Sequence, residues 1–189
     1  PICASGFSLP VSVWRADGRS LVPAATAPLP QVVEVPAHHR EFGSVIVAAG
    51  AEPTVEHGVL AGEVLGLEVC RVVDDPFTGT TRLEVGVGAH DREAFLMLHG
   101  DRPTAEALAD VVTSVRSHRA DAASGHPLAR LARERLLRAV VVADPSLVGA
   151  VRVEAVPPPE PRTNLKYPVP CVAVAHCADG STTVLVLTT

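Results

Sequence analysis

The chain has 189 residues, of which 47% are apolar and 20% charged, and this balance fits a folded protein with a substantial core. Its formal net charge of −5 disfavours a protein that coats nucleic acid, because phosphate neutralisation supplies most of that affinity. No run reaches the roughly 18 to 20 apolar residues that cross a bilayer, and aromatic residues, at 3%, are too few for a base-stacking surface.

We expect a cytoplasmic protein without a membrane segment, since no basic stretch followed by an apolar one opens the chain. The strong use of arginine, alanine, valine and proline, with Lys166 as the single lysine, indicates a bacterial source. The start at Pro1 and the end at Thr189 suggest trimmed ends. We predict one domain over residues 1–189, with a β-rich, proline-punctuated portion over 1–50 and a helix-strand core over 53–189.

The first 50 residues are predicted to form short strands. PVSVWRADGRSLV alternates apolar and polar residues around Asp17-Gly18, which is typical of a hairpin. The stretches QVVEV (31–35) and SVIVAA (44–49) are predicted as further strands.

The middle of the chain is predicted to run in the order helix, three strands, helix. Apolar residues at helical spacing, with Thr54 as N-cap and Gly66 at the end, predict the first helix over 54–65. The predicted strands cover 67–73, 82–88 and 93–100. The second helix is TAEALADVVTSVRSHR (104–119), which carries an apolar stripe.

The segment HPLARLARERLLR (126–138) predicts a further helix with Pro127 in its first turn. AVVVA (139–143) is an apolar run typical of a buried strand. Asp144 after it is interpreted as the cap of a short helix, with a ligand at the strand end as the alternative.

VRVEAV (151–156) predicts a strand, and CVAVAHCADGSTTVLVLTT predicts a hairpin that turns at Asp179-Gly180. A proline-rich segment, residues 157–170, separates them. Together these elements predict an α+β fold, with a mixed, mainly antiparallel sheet and two or three helices packed on one face.

The cysteines and histidines form no metal motif in the sequence. Cys3, Cys70, Cys171 and Cys177 lack CxxC spacing and are expected to be buried free thiols. The histidines that we weighed as ligands are His38, His39, His57, His90 and His99. They lack HExxH or comparable spacing, so we expect surface or turn positions, with a shared transition-metal site as the alternative.

Glu84 interrupts the strand RLEVGVG and has two glycines beyond it. If Val73 pairs with Arg82, then Arg71 lies opposite Glu84, and such a cross-strand ion pair contributes about 0.2 to 1 kcal/mol. A glycine inside a strand often marks the close approach of another backbone or a ligand. We therefore expect Glu84 to be neutralised by arginine, with a functional carboxylate as the alternative.

That alternative needs several converging carboxylates, which can hold Mg²⁺ or Mn²⁺ and activate water against a phosphodiester. The candidates are Glu63, Glu68, Glu84 and Glu93. The predicted element order resembles the core of the PD-(D/E)XK nuclease superfamily over about 65 residues, and the resemblance implies a divalent-metal-dependent phosphodiesterase. Phe95 stands where that family has the lysine of its E-x-K pair.

The function that we favour is a non-enzymatic module that binds a partner or a small ligand and needs no cofactor. Its candidate contact residues are Arg130, Arg133, Pro158 and Lys166. The first two belong to a basic set on the predicted helices: Arg116, His118, Arg119, Arg130, Arg133, Arg135 and Arg138. Prolines limit the entropy lost when a segment docks, so residues 157–170 are the expected contact element for a protein, a second copy or a small ligand.

Overall fold

The computed structural model describes residues 14–17, 20–23, 33–99, 102–120, 125–158, 161–162 and 164–189. The chain divides into two compact units, Pro1–Val33 and Glu34–Thr189. The single domain over residues 1–189 stays a prediction.

The first unit contains an antiparallel hairpin. Its strands are β1 (Trp14–Asp17) and β2 (Ser20–Pro23), and Asp17 lies opposite Ser20. This confirms the hairpin predicted around Asp17-Gly18.

The second unit is built from two antiparallel sheets and several helices. Its helices are α1 (Ala37–Arg40), α2 (Gly43–Ala48), α3 (Gly88–His99), α4 (Thr104–Ala120), α5 (Pro127–Arg130) and α6 (Arg133–Ala143). The four-stranded sheet consists of β3 (Glu52–Glu56), β4 (Val59–Val64), β5 (Leu67–Asp74) and β6 (Thr81–Val85), and the three-stranded sheet of β7 (Arg152–Val156), β8 (Cys171–His176) and β9 (Thr182–Leu187).

The four-stranded sheet begins with a hairpin where a helix over 54–65 was predicted, so that prediction is wrong. His57 and Gly58 have φ values of 53° and 77°, and two such residues form the tight turn that joins β3 to β4. Leu65 and Gly66, at 49° and 73°, turn β4 into β5 in the same way. The apolar residues whose spacing predicted one helix are divided between the two strands β3 and β4.

The strand predicted over 67–73 is confirmed as β5, whereas the one over 82–88 ends at Val85. The core lies on one face of this sheet, where α2 and α4 supply Ile46, Leu108 and Val112. Ile46 is fully buried while Val47 is 58% exposed, so SVIVAA is a helix and its prediction as a strand is wrong.

The short stretch before α1 is irregular. Residues 33–35 of the predicted strand QVVEV form no strand, and residues 31–32 lie outside the described part of the chain.

Helix α3 replaces the strand predicted over 93–100, which is therefore wrong. Gly86 and Gly88 have φ values of 139° and 83°, and they turn the chain away from the sheet after β6. A Cβ on Gly86 would lie 2.9 Å from the backbone nitrogen of Arg92, so the close approach predicted at this glycine is that of a helix. Apolar runs this short do not distinguish helix from strand.

Four strands followed by two helices thus stand where the order helix, three strands, helix was predicted. The second of these helices, α4, confirms the prediction over 104–119.

The helix predicted over 126–138 is broken, and the strand predicted over 139–143 is the end of α6. Ala132, with φ of 44°, separates α5 from α6. Arg119 holds this break, because its guanidinium donates to Leu128 O at 2.6 Å and Leu131 O at 2.7 Å, and to Leu65 O at 3.1 Å. Burial lowers the pKa of Arg119 to about 10, so it is still charged at neutral pH.

The three-stranded sheet packs against α6, where Val141 joins Val153, Ala173 and Ala175 in a second core cluster. This contact explains why the valine-rich end of α6 is helical despite its preference for strands. The predicted strand 151–156 and the predicted C-terminal hairpin are confirmed as β7 and as β8–β9. Asp144 accepts a hydrogen bond from Ser146 N at 3.1 Å and caps the 3₁₀ turn Pro145–Val148, as predicted.

The fold is α+β, as predicted, and every strand pair in the described part of the chain is antiparallel. Among the described residues, no helix has both the length and the apolar character that crossing a membrane requires.

Candidate ligand-binding site

The face of the four-stranded sheet opposite the core carries charged side chains. Glu63 lies opposite Glu68 across β4 and β5, and Arg71 lies opposite Glu84 across β5 and β6. The register predicted for Arg71 and Glu84 is therefore confirmed.

The ion pairs on this face differ from the predicted one. Arg71 donates to Glu68 from Nε at 2.7 Å and from Nη2 at 2.9 Å. Glu84 accepts from Arg82 Nη2 at 3.0 Å, and its other oxygen lies 3.7 Å from Arg92 Nε. Arginines thus surround Glu84, but its direct contacts are Arg82 and Arg92, while the guanidinium of Arg71 binds Glu68.

Glu63 is a buried carboxylate that Arg135 contacts. Nη2 of Arg135 contacts Glu63 and also Glu56, the latter at 2.5 Å. Burial raises the pKa of Glu63, and the positive charge of Arg135 offsets this only in part. Burial by itself lowers the pKa of Arg135, but Glu63 and Glu56 together raise it above its usual value. The guanidinium therefore stays charged while Glu63 takes up a proton more readily than an ordinary glutamate.

A charged cavity of about 550 Å³ opens on this face. Its lining includes three glutamates and four arginines, which are Glu56, Glu63, Glu68, Arg71, Arg92, Arg135 and Arg162. The arginines come from β5, α3, α6 and the proline-rich segment. Different parts of the fold thus bring their guanidinium groups to one cavity.

A second cavity, of about 340 Å³, lies between α6, the adjoining strands β7 and β8, and the proline-rich segment. Its apolar wall is formed by Val156, Pro157, Pro158, Pro161, Tyr167, Val169, Pro170, Cys171 and Val172. The charged groups in its described lining are Arg135, Arg138 and Arg162, and none of the described lining residues is acidic.

Arg135 and Arg162 line both cavities, as does Pro161. The side chain of Arg135 is 8% exposed and that of Arg162 is 7% exposed. Arg162 contacts Glu134 and donates to the backbone oxygens of Asn164, at 3.0 Å, and Tyr167. We call the three arginines that line the apolar cavity, Arg135, Arg138 and Arg162, the arginine wall.

The residues predicted from the sequence fall into three groups. Pro158 lines the apolar cavity, and Glu63 and Glu68 line the charged one. Arg130, Arg133 and Lys166 are exposed and line neither cavity. Glu84 lies on the charged face outside the cavity lining, and Glu93 is exposed on α3.

The sequence analysis did not single out the arginine wall. Arg135 and Arg138 were part of the basic set, and their spacing of three residues on one helix is the signal that places both on one face. Arg162 lies in the proline-rich segment, and Arg92, which lines the charged cavity, lies between two predicted strands. No local pattern marks either residue as buried.

The cysteines described by the structure are free, as expected, and Cys70 and Cys171 are buried while Cys177 is partly so. Burial raises the pKa of the Cys70 thiol to about 12 and also raises that of Cys171. Both thiols are therefore protonated at neutral pH, a form that is a poor nucleophile.

In the described part of the chain, a single group of three side chains offers metal-ligating atoms within 4.8 Å of one another. It consists of His38, His39 and Asp74, and these residues line neither cavity. Hydrogen bonds from Thr81, and then from His39, lower the pKa of Asp74 to about 2. Metal binding by Glu63, Glu68, Glu84 and Glu93 stays a prediction.

No family model, curated protein or solved structure matches this chain.

Proposed function

We propose that the protein is a non-enzymatic module that binds a small organic anion with an apolar body. The observation that carries this proposal is the apolar cavity whose described lining includes three arginines and no acidic residue. Its volume, about 340 Å³, lies within the roughly 300 to 1,000 Å³ of ordinary small-molecule sites.

The charge of the wall selects for an anion. The side chains of Arg135, Arg138 and Arg162 are 7 to 8% exposed, and charges shielded from water interact more strongly than exposed ones. Their acidic partners, Glu56, Glu63 and Glu134, do not line this cavity. The planar fork of a guanidinium matches a carboxylate or phosphate group.

The rest of the lining suits an apolar body. Proline, valine and tyrosine side chains surround the space, and their burial against a ligand contributes about 25 cal/mol per Å² of apolar area. Prolines at 157, 158, 161 and 170 restrict the unbound segment, so less entropy is lost when a ligand orders it.

Other expectations stay predictions beside this proposal. The exposed residues Arg130, Arg133 and Lys166 suit contact with a protein partner or a second copy better than contact with a ligand in the cavity. A cytoplasmic location and a bacterial source stay predictions from the sequence. The metal-dependent phosphodiesterase stays the alternative prediction; Glu63, Glu68 and Glu84 each contact an arginine, which a metal ion would have to displace.

The proposal is tested with 8-anilinonaphthalene-1-sulfonate, a fluorescent aromatic anion, and with octanoate and octanol as competitors. We expect saturable binding of one dye per folded chain. Octanoate should displace the dye at least about tenfold more effectively than octanol, because a single carboxylate-arginine contact contributes on the order of 1.5 to 3 kcal/mol. Equal competition by octanol, or binding that does not saturate, would contradict the proposal.

Two tryptophan variants locate the binding. Val169→Trp fills the apolar cavity from its wall, whereas Val184→Trp adds the same side chain to β9, where Val184 is 63% exposed and lines neither cavity. We expect Val169→Trp to abolish dye binding and Val184→Trp to retain it, with thermal unfolding confirming that both variants fold. Dye binding that survives Val169→Trp would place the dye elsewhere and reject the site.

A further inference from the structure

We propose that His38, His39 and Asp74 bind one divalent transition-metal ion of the zinc class. This site is separate from the two cavities and does not depend on the function proposed for them.

The distances between the donor atoms fit a shared ion. Nε2 of His39 lies 3.0 Å from Oδ1 of Asp74, and Nε2 of His38 lies 3.3 Å from the same oxygen. An ion about 2.0 to 2.2 Å from each ligand in tetrahedral geometry separates its donors by about 3.3 to 3.6 Å. All three donors lie within 4.8 Å of one another. The side chain of His38 is 55% exposed, so its imidazole has room to adjust its position around an ion.

Neighbouring residues already fix the positions of two of the three ligands, His39 and Asp74. His39 is buried, with its side chain 9% exposed, and its ring packs edge-on against His38 at a centroid distance of 4.6 Å. Nε2 of His39 makes the polar contact of this ring, to Oδ1 of Asp74. Thr81 Oγ1 donates to Asp74 Oδ1 at 2.7 Å and orients the carboxylate.

Within the described part of the chain, Asp74 lacks the arginine contact that five carboxylates on or beside this sheet make. Glu56, Glu63, Glu68, Glu84 and Asp75 each contact an arginine. Asp74 has no arginine contact among the described residues, and its neighbours are two imidazoles and a hydroxyl. An imidazole can give its lone pair to a metal, which a guanidinium cannot do.

The ligand types select the class of ion. Mg²⁺ and Ca²⁺ favour sets made of oxygen alone, whereas two imidazoles and a carboxylate suit zinc and its neighbours. His38 and Asp74 are 55% and 47% exposed, so water or a further ligand can complete the coordination. The ion would connect α1 to the end of β5.

The test is zinc binding to untagged protein from which metal has been removed with a chelator. Isothermal titration should show one Zn²⁺ per chain with micromolar or tighter affinity. Co²⁺ should show the visible d–d absorption of an ion coordinated by imidazole and carboxylate. Mg²⁺ should not compete. Absence of stoichiometric zinc binding, or equal binding of Mg²⁺, would overturn the proposal.

Variants assign the ligands. His38→Gln and Asp74→Asn should each weaken zinc binding by at least about tenfold, since each removes one of three protein ligands. The controls are His57→Gln, a histidine on the β3–β4 turn, and Cys177→Ser, which removes a partly exposed thiol that could bind zinc by itself. Affinity within twofold of the original protein in either ligand variant, or a tenfold loss in a control, would overturn the assignment.

Discussion

At the scale of single residues, the charged sheet face shows what a local pattern can and cannot predict. The hairpin between β5 and β6 has an evident turn, so the position of Arg71 opposite Glu84 followed from the sequence. Glu84 in fact accepts a hydrogen bond from Arg82 on its own strand, and its second contact, Arg92, lies on α3 and reaches Glu84 only because the chain folds back over the sheet. A contact of this kind depends on tertiary packing, which pairwise spacing does not encode.

The pKa of Glu63 leads to a prediction about stability. A carboxyl whose pKa is raised in the folded state contributes stability below its unfolded value of about 4.3, and this contribution is lost as the pH rises through the raised value. The free energy of unfolding of the native protein minus that of Glu63→Gln should therefore fall as the pH rises above about 4. Urea unfolding at a series of pH values measures it, and Arg135 keeps Glu56 as a partner in the variant.

Asp179 provides a control of opposite sign. Hydrogen bonds from Ser181 lower the pKa of Asp179, so its contribution is present above about 3.9 and is lost as the pH falls. The difference between the native protein and Asp179→Asn should therefore rise with pH in the acidic range. The same sign for both variants would contradict our account of Glu63.

At the scale of elements, the close contact between α6 and the β4–β5 turn positions the arginine wall. Gly66 in that turn has φ of 73°, and a Cβ there would lie 2.3 Å from the carbonyl oxygen of Arg135. Arg119 holds the same region by donating to Leu65 O and to the carbonyls before α6. The sequence analysis predicted that an element ends at Gly66. It did not predict that α6 packs against this glycine.

Comparing Gly66→Ala with Gly79→Ala separates two effects of an added Cβ: backbone strain at a positive φ, and steric contact with α6. Both glycines have positive φ, but a Cβ on Gly79 would meet nothing within 4 Å. We expect Gly79→Ala to lower the free energy of unfolding by about 1 to 2 kcal/mol, from backbone strain alone. Gly66→Ala should cost at least about 1 to 3 kcal/mol more, because the helix backbone must move. Urea unfolding measures both values, and equal losses would show that the contact with α6 is not tight.

At the scale of the whole molecule, composition and strand alternation predicted the α+β class and the C-terminal hairpin. They failed where apolar β-branched runs form helices, as in α2 and the end of α6. Burial against a sheet decides those segments, and it outweighs local preference. The proline-rich segment was expected to contact a ligand, and Pro158 does line the apolar cavity. The cavity itself requires the packing of α6, β7 and β8, so no linear pattern reveals it.

The measurement that tests the binding site most directly is a crystal structure with 8-bromooctanoate, whose bromine can be located by anomalous scattering. We predict the carboxylate within about 3.2 Å of a guanidinium nitrogen of Arg138 or Arg162. The bromine should lie in the apolar cavity, between Pro158 and Val169. Ordered ligand outside this cavity, or an empty cavity at a saturating concentration, would contradict the account.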